Sequence, residues 1–158
     1  MFRMKSITLF LAIIILSGGI AWAQENKEEI IDSLPGPLSG WKVNSDIGTA
    51  LYPAICKQYI KQNAAVGIGI MQVFKDPAEA SMWKENNNAI LKMLGGKEIT
   101  VKENYAILRE TAPKLWDMVI LVKDKILVSI NGIECDKSDV QAYAEEIDYD
   151  ALLPYFSE

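Results

Sequence analysis

No histidine occurs in the 158 residues, and cysteine occurs only at Cys56 and Cys135. Without imidazole the chain lacks the commonest general base and every histidine-dependent triad. A closed zinc site would start from two thiols and need carboxylates to complete it. No catalytic, cofactor-binding or metal-ligating residue is therefore expected. Positive charge is also short, with 16 basic against 21 acidic residues. A chain of that sign repels phosphate backbones, so nucleic acid is not an expected partner.

What is present begins with an address. Arg3 and Lys5 form a basic start, Ile7 to Leu16 an apolar core, and Ala21-Trp22-Ala23 an A-x-A cleavage site. Residues 1–23 are expected to be a secretory signal peptide, with a periplasmic or extracellular mature chain beginning at Gln24. Membrane contact is expected only if cleavage fails and Ser6 to Ala23 stays as an anchor. The removed segment holds two bases and no acid, leaving 14 against 21 and a net charge of -7. Oxidising surroundings make a Cys56–Cys135 disulfide the functional expectation. The competing expectation is that each cysteine is a small buried apolar side chain.

Residues 24–39 read as a flexible N-terminal segment, Glu25 to Ser33 being a polar tail or one loose helix, then broken by Leu34-Pro35-Gly36-Pro37. A single domain is expected over 40–158. Trp41-Lys42-Val43 is a short strand, Leu51-Tyr52-Pro53 a loop or edge, and Ile55 to Ile60 with Ala65 to Phe74 a hairpin. Lys97 to Lys102 and Asn104 to Glu110 form a second hairpin. Met118 to Val122 and Ile126 to Ile130 form a third, apolar on both faces and therefore mid-sheet. Asn131-Gly132 reads as a turn.

Asp76-Pro77-Ala78-Glu79 opens a helix that runs to about Leu94 and closes at Gly95-Gly96. Its apolar stripe, Trp83, Ile90 and Leu94 with Met82, Ala89 and Met93 beside them, is expected to lie on the sheet. Ser138 and Gln141 suggest a capping box for a helix over 139–147, and Asp148 caps a last short helix. The fold class is α+β: an antiparallel sheet of about six to seven strands, a meander of hairpins, with a long helix after the third strand and a C-terminal helix.

Familiar motifs fail on inspection. Gly67-Ile68-Gly69 has Gln72 where a dinucleotide fingerprint needs glycine, and Gly96-Lys97 has Leu91 and Glu98 where a phosphate loop needs glycine and serine or threonine. Ser81-Met82-Trp83-Lys84 has the S-x-x-K spacing, but no K-T-G follows and Ser138-Asp139-Val140 is not S-D-N. Asp136-Lys137-Ser138-Asp139 lacks the glycine and terminal glutamate of a calcium loop. Gly67 and Gly69 strip side chains from one strand face, which admits a helix, another backbone or a ligand.

The order of a tryptophan-led strand, a hairpin, a helix opened by Asp76-Pro77, two further hairpins and Ile147-Asp148-Tyr149-Asp150-Ala151-Leu152 resembles small exported bacterial proteins of unknown function. More loosely it is similar to the PsbP/Mog1-like α/β/α sandwich group. That resemblance implies binding or assembly roles and carries no catalytic motif. A non-catalytic exported protein is expected, binding an envelope protein or a small apolar ligand. The expected surface involves Gly67, Gly69, Tyr52, Tyr59, Trp83 and Trp116, each aromatic being alternatively plain core. The competing expectation is a small envelope hydrolase using carboxylates or the Ser81–Lys84 pair.

Overall fold

The computed structural model describes residues 26–44 and 56–156. The segment 1–23, expected to be a signal peptide, and the Leu51-Tyr52-Pro53 stretch lie outside them. Seven strands form one antiparallel sheet: β1 (Lys42–Val43), β2 (Cys56–Lys61), β3 (Ala64–Val73), β4 (Lys97–Val101), β5 (Asn104–Ala112), β6 (Leu115–Val122) and β7 (Ile126–Ile133), in the order β1-β2-β3-β7-β6-β5-β4. Two meanders, β1 to β3 and β4 to β7, meet where β3 pairs β7. The helix α2 (Pro77–Met93) connects them. The remaining helices are α1 (Lys27–Ser33), α3 (Lys137–Glu146) and α4 (Tyr149–Leu152), followed by a 3₁₀ turn at Leu153–Phe156.

The β6–β7 hairpin sits mid-sheet because its residues are buried on both faces. Val128, Ile130, Ile120 and Met118 enter the main core, while Leu121 and Leu127 enter a second cluster on the opposite face. The three residues 123–125 turn it, with positive φ at Lys123 and Asp124 and the Lys125 amide donating to the Val122 carbonyl at 2.9 Å. Asn131-Gly132 is not a turn. β7 runs on to Ile133 because it is paired on both sides, Asn131 with Gly67 and Asp117, Gly132 with Val66 and Trp116. The chain turns instead at Glu134.

The main core lies between the sheet and α1, α3 and α4. Tyr59 and Tyr143 stack with centroids 4.3 Å apart, and Trp41 meets Tyr143 edge-on at 5.6 Å. Of the two expectations for the N-terminal segment the helix is the one formed, at Lys27–Ser33, and it is seated rather than loose, since Ile30 and Leu34 are buried in the core. Ile30 and Leu34 lie one helical turn apart, so two anchors in an otherwise polar segment suffice to seat it. Lys57 Nζ donates to the carbonyls of Ile31 (3.2 Å) and Leu34 (3.1 Å), satisfying the end of α1. Burial holds the Lys57 pKa below its ordinary value, partly offset by Asp32.

Asp76 caps α2 as expected, its Oδ1 accepting from the Ala78 and Glu79 amides at 2.8 and 3.0 Å. Glu79 accepts from the Lys75 amide at 2.9 Å, and Gly95 at φ +83° leaves the helix. The cap of α3 is shifted from Ser138 to Asp136, whose amide donates to Asp139 Oδ2 at 3.0 Å in a capping box. Aspartate is at least as good an N-cap as serine, so the helix begins two residues sooner.

Candidate functional site

The residues singled out in the sequence do not converge. Tyr59 is fully buried and its hydroxyl donates to the Pro35 carbonyl at 2.5 Å. Trp116 is half-buried against the main core. Trp83 lies on the other face of the sheet, half-buried and 6.4 Å from Phe74. Tyr52 is outside the described residues. The expected disulfide is not made: Cys135 is free and buried. In register, Cys56 pairs with Gly69, three positions along β3 from Val66, and Val66 is paired with the Gly132 against which Cys135 packs.

The face that carries α2 is layered by register. Under the helix lie Leu127, Leu121 and Tyr105, paired across β7, β6 and β5. Two rows further on, Gln58, Gly67, Asn131, Asp117 and Arg109 form a line across five strands. Arg109 Nη2 donates to Asp117 Oδ2 at 2.7 Å within it. Gly69 lies between, buried, with Ser129 Oγ donating to its carbonyl at 3.4 Å.

The Ser81–Lys84 spacing has a different use. Lys84 Nζ stands 4.3 Å from the centroid of the Tyr105 ring, a cation–π contact that fixes α2 to the sheet, while Ser81 is exposed. The Tyr105 hydroxyl is pushed above its usual pKa by burial and then by Glu98.

A polar cleft of about 130 Å³ opens at the far end of the sheet, lined by Trp41, Lys61, Lys114, Glu134, Cys135 and Asp139, among others. Small-molecule sites usually need about 300–1,000 Å³ with a mostly apolar lining, so an apolar ligand does not suit it. Among the described residues, no group of three or more His, Cys, Asp or Glu side chains gathers as a metal site. Cys135 at its edge is a protected thiol: burial first, then Asp139 and Asp136, push its pKa from 9.0 to about 11. The thiolate is the reactive form, so this cysteine is inert at neutral pH.

That shift fixes a pH dependence. Between about 9 and about 11 the unfolded chain has lost the thiol proton and the folded one has kept it. The unfolded state then binds fewer protons, and stability falls as pH rises through that window. Urea midpoints at pH 8 and pH 10.5 should therefore converge in Cys135→Ala relative to wild type. An unchanged gap would show that alkaline loss comes from other groups, such as the buried Tyr149.

The surface that the sequence did not anticipate is the outer side of α2. Of the stripe expected to pack on the sheet, Trp83 does so, with Ala80, against Phe74, Leu121 and Leu127. Met82 and Met93 are turned away from it, 62% and 86% exposed, while Ile90 and Leu94 point nearly as Trp83 does and are still 55% and 48% exposed. The second cluster is small because the helix crosses only one end of the sheet. A signal was present: apolar residues are spread around the helix, so Met82, Ala89 and Met93 lie well over a right angle from the Ala80 contact at 100° per residue. No helix among the described residues is long and apolar enough to cross a membrane. Comparison with protein-family models, with curated proteins and with solved structures finds no match to this chain.

Proposed function

We propose that this is an exported, non-catalytic protein whose work is to bind a protein partner through the outer side of α2. The observation that carries the reading is the exposure of Met82, Ala89 and Met93 together on one side of a helix otherwise well capped and well anchored. Isolated exposed apolar residues are ordinary, but several on one helix side mark an interaction surface. Methionine suits such a surface because its flexible, polarisable side chain adapts to the partner. Helix-in-groove recognition uses anchors at this kind of spacing. Export is supported by the basic, apolar and A-x-A segments of residues 1–23.

The test is affinity capture from the native envelope with wild type and with Met82→Lys/Met93→Lys. A protein recovered by wild type and lost with the double variant is the expected result. Equal recovery by both, or a partner whose capture depends on the cleft around Trp41 and Lys61 instead, contradicts the reading.

A further inference from the structure

We infer that the partner met by α2 is a second copy of this chain, docked antiparallel along the same helix; this rests on the α2 reading above. Met82, Asn86, Ala89 and Met93 are all exposed and follow one another at steps of four, three and four residues. That spacing is the seam of a two-helix coil, seven residues per two turns. The seam is self-complementary when reversed. With a two-fold axis between Asn86 and Ala89, Met82 faces Met93 of the second copy and Asn86 faces its Ala89, so bulky ends flank a small centre. Two-fold contacts of this kind use one patch on both subunits.

Charge supports the antiparallel sense. Glu85 and Lys92 each precede a seam residue, Asn86 and Met93, and therefore flank the same side of it. In the antiparallel pair, the stretch from Met82 to Asn86 lies beside the stretch from Ala89 to Met93 of the other copy. Glu85 then meets Lys92 of the second copy, and symmetry makes that contact twice. In a parallel pair Glu85 of one copy and Lys92 of the other would lie on opposite sides of the seam, and this contact would be lost. Lys92 is free to exchange partners, because its own ion pair with Glu98, at 3.3 Å, joins side chains about half exposed. One helix from each copy buries less than the roughly 800 Å² per partner of a standard interface, so the dimer is weak and reversible.

Sedimentation equilibrium of the purified protein from about 10 μM to about 1 mM should therefore show a reversible monomer–dimer equilibrium. Glu85→Lys and Lys92→Glu each set like charges together and should weaken it by about tenfold or more. An equimolar mixture of the two variants should recover association to within about threefold of wild type, because every mixed contact joins opposite charges again. Wild type that stays monomeric throughout overturns the inference, as does a mixture that associates no better than its components. If it is overturned while envelope capture still depends on Met82 and Met93, the α2 reading stands with a different partner. If neither association nor capture depends on α2, both fall.

Discussion

Gly132→Ala should lower the stability of the domain by about 1–3 kcal/mol, toward the upper end of that range. The reason is a close approach. A Cβ at residue 132 would fall on Cys135 Sγ and within 2.6 Å of Val140 Cγ2, with Trp116 Cβ at 3.6 Å. Neither obstacle swings away easily. Cys135 is buried in the turn out of β7, and Val140 is a stiff β-branched residue in the first turns of α3. Gly132 is itself held by β3 and β6 on either side. The strain must be taken up by lifting α3, which loosens its contact with the sheet. Urea denaturation measures it: the midpoint drops while the slope is kept. Cys135→Ala in the same chain should recover part of the loss and Val140→Ala more, a non-additivity that marks a shared contact. If Gly132→Ala unfolds at the wild-type midpoint, the close packing of α3 on β7 is wrong.

The second large effect is expected at Tyr143. Its fully buried ring stacks on Tyr59 and receives the edge of Trp41, and its hydroxyl accepts from the Leu38 amide at 3.3 Å. Tyr143 thereby ties α3, β2 and the N-terminal segment into one cluster. Truncation to alanine should cost about 3–5 kcal/mol, the range for emptying a buried aromatic site. Tyr143→Phe removes only the long hydrogen bond and should cost about 1 kcal/mol. Hydrogen exchange distinguishes a general loss from a local one. In Tyr143→Phe, amides from Ile30 to Trp41 should exchange faster than those of β6 and β7. Uniform exchange across both regions would mean that the segment is not seated by this tyrosine.

The parts of the fold that were legible in the sequence are those set by neighbours in the chain. The β4–β5 and β6–β7 hairpins follow from runs of Ile, Val and Leu parted by short charged turns, and α2 follows from Asp76-Pro77 at one end and Gly95 at the other. What was not legible depends on distant partners. The β3–β7 pairing joins residues about sixty positions apart, and it is this pairing that keeps Asn131-Gly132 extended where the dipeptide alone suggests a turn. Ile30 and Leu34 seat the N-terminal segment only through partners far along the chain, Lys57 on β2 at the end of α1 and Tyr149 and Leu152 in the same core. The apolar residues of α2 were visible, but their direction was not. A capped helix with apolar groups on several sides has no unique inward face until the width of the sheet beneath it is known. The solvated side of α2 is thus expected against the sheet, and of the two readings of Tyr59 it is the core one that the structure takes.

On the proposed reading the outer side of α2 is kept apolar for binding rather than for folding. The urea stability of Met82→Lys/Met93→Lys, at a concentration well below any self-association, tests this directly. Both side chains are solvated in the folded chain, so a change within about 0.5 kcal/mol of wild type is expected. A loss of about 2 kcal/mol or more would contradict it, because those methionines would then be holding the fold together.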